Sequence, residues 1–190
     1  MRDTRGTAAL LFDLDGTLAD TAAANHAAYA AALAEVGVAV DRASFDLVAH
    51  GRNWRQFLPE LLARSGSDAD PAIIARRKQM LYPELLDAVR LNEPLLALAD
   101  AVRDRLRTAL VTTASGANVR AFLERRSLAP LFNVVVTGDD VAEHKPHPAA
   151  YLLATQRLGV LPAACIAFED SDIGVAAAEA AGVPVVRVVL

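Results

Sequence analysis

Ala8-Ala9-Leu10-Leu11-Phe12-Asp13-Leu14-Asp15-Gly16-Thr17-Leu18 carries the clearest structural signal in this chain. An apolar run that ends in two carboxylates spaced i, i+2 predicts a buried strand with Asp13 and Asp15 at its carboxyl end, where Gly16 allows a sharp turn. Open α/β sheets hold their active sites at that end of the strands. Residues i and i+2 share one face of a strand, so the two acids would repel each other unless a cation or a shared proton intervened.

Two carboxylates in this arrangement suit phosphoryl transfer. One can attack phosphorus and carry an aspartyl-phosphate, while the other gives a proton to the leaving oxygen and later takes one from water. The plain alternative is a strand that ends at an Asp-Gly turn, with acids that only cap it. The hexapeptide D-L-D-G-T-L resembles the nucleophile motif D-x-D-G-T-L of the haloacid dehalogenase superfamily. That resemblance implies Asp13 as the nucleophile and Asp15 as the general acid/base, on the phosphatase branch.

The composition predicts a chain that neither spans a membrane nor binds nucleic acid. Its 190 residues are enough for one buried core and a small accessory lobe. Hydrophobic residues make up 54%, but no window of about 18 apolar residues is free of charge and proline. The net charge of −4 disfavours nucleic acid as a partner. The first residues lack the apolar core of a signal peptide, and the single cysteine, Cys165, lies in an apolar run, so a cytoplasmic location is expected.

A long segment after the first strand is predicted to be entirely helical. Asp20-Thr21 provides a helix start and Gly37 a helix stop around an alanine-rich run. Further helices are predicted over Asp41 to His50, Arg52 to Arg64 and Pro71 to Arg90. Because no strand is expected among them, residues 20–92 are predicted to form a separate cap domain.

The remainder of the chain alternates strands with helices. Strands are predicted near 108–112, 133–137, 164–168 and 184–189, and helices near 95–106, 117–126, 148–158 and 172–181. This alternation indicates a parallel sheet with right-handed crossovers. The predicted fold is therefore α/β, a Rossmann-like parallel sheet formed by residues 1–19 and 93–190, with the all-helical cap inserted.

Thr112-Thr113-Ala114-Ser115-Gly116 is expected to end the second sheet strand and to start a helix. A hydroxyl and the free N–H groups of a helix N-terminus form an anion site, for which phosphate is the natural ligand. The plain alternative is that Ser115 caps the helix and the threonines only suit a strand. The segment predicts Thr113 and Ala114 as phosphate-binding residues, and its resemblance to the second superfamily motif implies a catalytic role for Thr112.

Lys145 lies in Glu143-His144-Lys145-Pro146-His147-Pro148, where the prolines stiffen the backbone. Only Lys145 and Lys78 are lysines in this chain. A lysine held in this way can neutralise a nucleophilic carboxylate and phosphoryl oxygens, although an isolated Lys-Pro is more often an exposed turn. The resemblance to the third superfamily motif, K-P, implies a catalytic role. His144 and His147 are expected to shape the loop, because two histidines without further ligands make a poor metal site.

Phe168-Glu169-Asp170-Ser171-Asp172 is expected to end the fourth sheet strand. Carboxylates there would face Asp13 across adjacent strands and make an all-oxygen site for Mg²⁺. An acidic helix N-terminus favoured by the helix dipole is the plain alternative, and Asp172 is expected to cap the helix. The resemblance to the fourth superfamily motif implies Glu169 and Asp170 as metal ligands, together with the Asp13 side chain and the Asp15 main-chain carbonyl.

The four motifs occur in the superfamily's order along the whole chain. The helical insert resembles the small cap of the subgroup that includes phosphoglycolate phosphatase, β-phosphoglucomutase and the sugar-phosphate phosphatases. The motif variants look most similar to fructose-1-phosphate/6-phosphogluconate phosphatase-like members. A cap of this kind closes over the active site and selects the substrate. Within His50 to Arg55, hydroxyls or a second anion are expected to be bound by Arg52, Asn53 and Arg55, while Trp54 is expected in the core.

One position departs from the subgroup's pattern. Where many relatives place a histidine five residues after the Asp of the D-T pair, this chain has Asn25, with His26 one position further on. An amide cannot transfer protons, which weighs against a mutase. The favoured function is a phosphatase of small phosphorylated metabolites in a monomer or weak homodimer. The alternatives are a sugar phosphomutase and a non-catalytic binding module on the same scaffold.

Overall fold

A computed structural model describes residues 7–190, and its centre is a five-stranded, all-parallel sheet. Residues 1–6, with which the predicted catalytic core begins, lie outside the described residues. The sheet strands are ordered β5-β4-β1-β6-β7, so the strand that precedes Asp13 is central. The strands in chain order are β1 (Ala9–Phe12), β2 (Ala19–Asp20), β3 (Arg90–Leu91), β4 (Arg107–Val111), β5 (Val134–Val136), β6 (Cys165–Glu169) and β7 (Val185–Arg187).

The α-helices alternate with the strands in the second half of the chain, which confirms the predicted α/β class. They are α1 (Ala22–Ala34), α2 (Arg42–Ala49), α3 (Trp54–Ser65), α4 (Pro71–Leu81), α5 (Glu93–Val102), α6 (Gly116–Arg125), α7 (Ala149–Leu158) and α8 (Asp172–Ala180). Short 3₁₀ segments lie at Tyr82–Ala88, Ala129–Leu131 and Pro162–Ala164. None of these helices in residues 7–190 has both the length and the apolar character needed to cross a membrane.

Strand β1 is buried on both faces, as its continuous apolar sequence predicts for a parallel sheet covered by helices. Leu10 and Phe12 belong to the hydrophobic cluster on one face of the sheet, whereas Ala9 and Leu11 belong to the cluster on the other. The Phe12 ring stacks on the Phe168 ring of β6 at 5.1 Å between centroids. Apolar packing on both faces therefore sets the position of the chain that leads into Asp13.

The segment from α1 to α4 has a hydrophobic cluster of its own. Tyr29, Phe45 and Phe57 contact one another there at 5.2–5.6 Å between ring centroids, and Leu58 and Ile74 are buried beside them. Helix α1 also contributes Ala24 and Ala28 to the cluster on the sheet. The segment is thus a helical lobe packed against the sheet-forming part, and the domain limits at residues 20 and 92 stay a prediction.

Two predictions about this lobe were wrong. The helix expected over Pro71 to Arg90 ends at Leu81 and continues as a 3₁₀ segment, because Pro83 lacks an N–H group and its ring clashes with the preceding turn of an α-helix. The segment is also not entirely helical at its ends, since β2 and β3 pair as an antiparallel two-stranded ribbon where the chain enters and leaves the lobe. Strands of two residues carry no detectable sequence pattern.

Candidate active site

Lys145 lies at the centre of a buried polar cluster at the carboxyl edge of the sheet. Its side chain is 2% exposed, and its Nζ donates to Asp13 Oδ1 at 2.7 Å, to Glu169 Oε1 at 2.5 Å and to the carbonyl of Val111 at 3.0 Å. These three bonds use all three protons of the ammonium group. Burial alone would lower the pKa of Lys145, but the charges of Asp13 and Glu169 hold that pKa well above its ordinary value. The lysine is therefore a fixed cation.

Glu169 ends strand β6 and is fully buried. Besides the bond from Lys145, its Oε1 accepts a hydrogen bond of 2.6 Å from the hydroxyl of Tyr151 on α7. A side chain at Gly174 would collide with this carboxylate, since a Cβ there would lie 2.1 Å from Glu169 Oε2. Glu169 is thus held by its neighbours on several sides.

Asp13, Glu169 and Asp170 can bring one carboxylate oxygen each to within 4.8 Å of one another. Burial raises the pKa of Asp13 well above its ordinary value, and the Glu169 carboxylate adds to that effect against the opposing charge of Lys145. Burial and Glu169 likewise raise the pKa of Asp170. Three carboxylates thus face a single ammonium group, and the raised pKa values of Asp13 and Asp170 reflect first their burial and then their repulsion by Glu169. An all-oxygen donor set with an uncompensated charge fits a hard divalent cation such as Mg²⁺.

Gly16 makes this arrangement possible at the turn after β1. It has a φ of +84°, and a Cβ there would lie 2.0 Å from Asp170 Oδ2, so only glycine satisfies both the backbone conformation and the close approach. Thr17, next in the chain, is 3.4 Å from Asp170 Oδ1 through its hydroxyl. The turn after β1 and the end of β6 are therefore in direct contact, as the two motifs predict.

Asp15 faces away from this cluster, toward the helical lobe. Its Oδ1 accepts hydrogen bonds from the Thr21 hydroxyl and, at 3.2 Å, from Asn25 Nδ2. Thr21 was expected to cap α1, but its side chain makes no capping bond there. His26 Nε2 lies 3.2 Å from the Val40 carbonyl and does not take the place of the missing histidine. Asn25 thus binds Asp15 through an amide, and the predicted metal contact of the Asp15 carbonyl stays a prediction.

The segment from Thr112 to Gly116 forms a tight turn between β4 and α6. The Thr112 side chain is buried, and its Oγ1 accepts a hydrogen bond from the Ala114 N–H at 3.1 Å. Ser115 occupies the N-cap position but makes no capping bond; instead Asp139 Oδ2 accepts from the Gly116 N–H at 2.8 Å. The sequence predicted the position of this turn correctly, and Ser115 stands at the N-cap as the plain alternative had it, but Asp139 accepts the bond that the Ser115 side chain does not.

The three residues predicted to bind substrate from the helical lobe are engaged with protein groups. Arg52 donates to Glu60 at 2.8 Å and to the Val48 carbonyl at 2.9 Å. Asn53 is buried, and both the oxygen and the nitrogen of its side-chain amide are hydrogen-bonded to backbone groups. Arg55 has a side chain 48% exposed, 3.3 Å from Asp139 Oδ1. Their substrate contacts stay predictions.

A cavity of about 140 Å³ separates the helical lobe from the edge of the sheet. It is lined from both parts of the chain, and its polar lining includes Asp15, Asn25, Arg52, Lys78, Thr113 and Asn118. Trp54 lines it as well and is also packed, partly buried, against the hydrophobic cluster of the helical lobe. A space of this size beside Asp15, covered by a lobe with its own core, is suited to a small polar ligand.

Lys78 is a cavity residue to which sequence reasoning assigned no role. Its side chain is 3% exposed, and its Nζ lies 3.6 Å from the centroid of the Tyr82 ring and 5.1 Å from that of Tyr29. Burial lowers the pKa of Lys78 to about 7, against the opposing charge of Asp15. The one sequence feature that could have drawn attention to Lys78 is the rarity of lysine, since this chain has only one other.

This fold and this site define a hydrolase of the phosphatase type, in which a lysine and carboxylates at a sheet edge lie beneath a helical lobe. The chain belongs to the haloacid dehalogenase-like hydrolases, because the model of that family matches residues 10–188. The family resemblance drawn from the four motifs is thereby confirmed.

Comparison with known proteins gives relatives over nearly the full chain. A fructose-1-phosphate phosphatase, YqaB, from Escherichia coli is 36% identical over 185 residues, which cover 95% of this chain and 96% of the relative. A phosphorylated carbohydrates phosphatase from Thermotoga maritima is 31% identical over 180 residues, covering 92% and 82%. The structure of a CbbY mutant from Rhodobacter sphaeroides in complex with xylulose-(1,5)bisphosphate has a TM-score of 0.86 at 30% identity, covering 93% of this chain and 84% of that one.

Proposed function

We propose that this chain is an Mg²⁺-dependent phosphatase of small phosphorylated sugars that works through an aspartyl-phosphate on Asp13. The observation that carries the proposal is the bond between Lys145 Nζ and Asp13 Oδ1, made beside two further acids and two residues before Asp15, which lines the cavity under the helical lobe. Relatives named as phosphatases of fructose 1-phosphate and of phosphorylated carbohydrates support the choice of substrate class.

In the proposed reaction, Asp13 attacks the phosphorus atom of the ester. Lys145 binds Oδ1, so Oδ2 is the oxygen that would form the new P–O bond while the P–O bond to the sugar breaks. Lys145 neutralises the charge of the carboxylate and of the phosphoryl oxygens. Thr112 Oγ1 accepts a bond from the Ala114 N–H and so shapes this turn. The turn's remaining N–H groups are proposed to bind the phosphoryl group, together with the Thr113 hydroxyl once it leaves the Gly51 carbonyl.

Asp15 is proposed to transfer the protons. It gives one to the leaving sugar oxygen in the first step and takes one from the attacking water in the second, which releases phosphate and restores Asp13. The hydrogen bonds from Thr21 and Asn25 to Oδ1 hold the Asp15 carboxylate in one orientation. Its other oxygen, Oδ2, would then carry the proton.

The residues proposed to hold Mg²⁺ are Asp13 and Asp170 through their side chains, Asp15 through its carbonyl, and Glu169 beside them. When bound, the ion supplies charge neutralisation for the phosphoryl oxygens and orients the ester for in-line attack. Glu169 already accepts bonds from Lys145 and Tyr151, so we assign it chiefly to placing the lysine. Its other oxygen, Oε2, accepts a bond of 3.5 Å from the Ser171 hydroxyl, so the ion would depend mainly on Asp13 and Asp170.

The test is release of inorganic phosphate from a panel containing fructose 1-phosphate, 6-phosphogluconate, phosphoglycolate, β-glucose 1-phosphate and nucleotides, with Mg²⁺ and with EDTA. Mg²⁺-dependent release from a sugar phosphate, absent in Asp13→Asn, is expected. The Asn variant is nearly isosteric and keeps the fold, so a circular-dichroism spectrum like the parent's is its control. Normal turnover by Asp13→Asn would refute the nucleophile, and release unaffected by EDTA would refute the metal.

The same panel separates the alternatives. Isomerisation of β-glucose 1-phosphate that depends on a bisphosphate would indicate a mutase, and neither release nor isomerisation would indicate a binding module. The amide of Asn25 beside Asp15 weighs against the mutase. We further propose that the chain acts as a monomer or weak homodimer in the cytoplasm on a free metabolite, and not on nucleic acid, given its net charge of −4.

A further inference from the structure

Asn53 is buried between the helical lobe and the sheet-forming part, with 1% of its surface exposed. Its Oδ1 accepts a hydrogen bond from the Arg55 N–H at 3.0 Å and so caps helix α3, and Gln56 returns a bond to the Asn53 N–H at 3.1 Å. Its Nδ2 donates in the other direction, to the Thr113 carbonyl, at 2.7 Å. The two ends of one amide group therefore bond to two different parts of the molecule.

Thr113 belongs to the turn that is proposed to bind the phosphoryl group. The same turn receives other contacts from the helical lobe, because the Thr113 hydroxyl donates to the Gly51 carbonyl at 3.3 Å and Gln79 Nε2 donates to the Ser115 hydroxyl at 3.1 Å. Arg55 reaches Asp139, which caps the helix that follows the turn. The lobe is thus bonded to two residues of this one turn, Thr113 and Ser115.

The Asn53–Thr113 bond is closely packed. Gly138 packs directly against it, since a Cβ at that position would lie 2.3 Å from the Thr113 oxygen and 2.5 Å from Asn53 Nδ2. By contrast, the Arg55–Asp139 pair is about half exposed on both sides, and such pairs contribute little. A buried amide that lost its acceptor would have no water to replace it.

We infer that Asn53 is a positioning residue, which aligns the helical lobe on the phosphate-binding turn and does not itself contact the substrate. Thr113 Oγ1 and the Ala114 N–H then keep the same geometry whenever the lobe is closed. The bond from Nδ2 fixes the carbonyl between them, and the cap bond from Oδ1 transmits that position to helix α3. The expected change in kcat/KM rests on the proposed phosphatase activity. The expected change in how the lobe sits on the turn does not depend on that activity.

The test exploits two features of the chain. Asn53→Asp keeps the oxygen that caps α3, because Asp is as good an N-cap as Asn, while it replaces the donor with a carboxylate oxygen that repels the Thr113 carbonyl. Trp54 is the only tryptophan in the chain and lines the cavity, so quenching of its fluorescence by acrylamide reports access to the space between the two parts. Asp70→Asn is the matched control, since Asp70 caps α4 through a bond of 2.8 Å to the Ala72 N–H and is exposed.

In Asn53→Asp we expect the quenching constant of Trp54 to rise by a factor of about two or more, because the cap is kept while the buried contact between the two parts is lost. The melting temperature should fall as well, since a carboxylate would lie buried beside the Thr113 carbonyl. The kcat/KM for the best sugar phosphate should fall by about tenfold or more, as for one lost buried hydrogen bond. Asn53→Ser, which also caps helices but does not reach Thr113, should change both quantities in the same direction. Asp70→Asn should change neither.

Each other outcome has a distinct meaning. Unchanged quenching together with a lower kcat/KM in Asn53→Asp would overturn the inference and indicate a direct substrate contact. Unchanged values of both, or equal losses in Asp70→Asn, would overturn it as well. The parent protein could also release no phosphate from any ester while Asn53→Asp still shows increased quenching. That pair of results would support the alignment by Asn53 and refute the proposed phosphatase instead.

Discussion

Replacement of Lys145 by methionine should destabilise the chain through the charges that it leaves behind. Methionine has nearly the same length and fills the same space, but it removes all three hydrogen bonds of the ammonium group. Asp13 and Glu169 would then remain buried with no cation between them. Removing one partner of a buried ion pair costs about 3–5 kcal/mol, because the remaining charge is uncompensated.

The measurement is urea unfolding in EDTA at pH 7, followed by circular dichroism. Lys145→Met should lose about 3–5 kcal/mol of the free energy of unfolding relative to the parent. At pH 5 the loss should shrink, because burial and Glu169 raise the pKa of Asp13, and a protonated Asp13 carries no charge for the lysine to balance. Addition of Mg²⁺ should also reduce the loss, since the ion would bind the same carboxylates.

A second substitution tests whether charge is the cause. Glu169→Gln in the Lys145→Met background removes one of the two unpaired charges, while its amide oxygen can still accept the bond from Tyr151. This double variant should regain about 2 kcal/mol at pH 7 without regaining activity. A Lys145→Met variant within about 1 kcal/mol of the parent in EDTA would refute the reasoning, as would a double variant no more stable than Lys145→Met.

Three further predictions concern other positions. Lys78→Met should stabilise the chain by about 2–4 kcal/mol at pH 6. The pKa of Lys78 is about 7 in the folded state, below the ordinary 10.5. Below pH 7 folding therefore buries a charged ammonium group, which is unfavourable, and methionine removes that cost. Stability of the parent should therefore rise from pH 7 to 9 while that of Lys78→Met stays flat; an equal rise in both would contradict this prediction. Asp170→Ala should weaken Mg²⁺ binding by about tenfold or more in calorimetric titration, since a charged ligand is lost, and an unchanged affinity would locate the metal elsewhere. Arg55→Lys should change kcat/KM for a sugar phosphate by less than about threefold, because the Arg55–Asp139 pair is exposed; a tenfold loss confined to the sugar phosphate, absent with p-nitrophenyl phosphate, would instead support the substrate contact predicted from the sequence.

The sequence alone predicted the elements whose causes are local. The apolar run before Asp13, the glycine that turns the chain after Asp15, and the alternation of strands with helices after residue 93 follow from side-chain periodicity and backbone preference. The family was also evident from short motifs that lie at strand ends. Local patterns failed where an element was too short, as in the two-residue strands β2 and β3, or where Pro83 interrupted a helical pattern.

Only the tertiary structure determined which partner each functional side chain has. The side chains of Arg52, Asn53 and Arg55 are of the types that bind substrates. In the structure, however, they bond to other residues of the protein, which are Glu60, Thr113 and Asp139 respectively. The sequence assigned a role to Lys145 through its K-P motif and none to Lys78, and only the structure shows that the first lies between two carboxylates and the second against two aromatic rings. The pKa of a buried lysine follows from those neighbours, because burial disfavours its charge unless an opposite charge is close. Such neighbours come from positions far apart in the chain, and no local pattern specifies them.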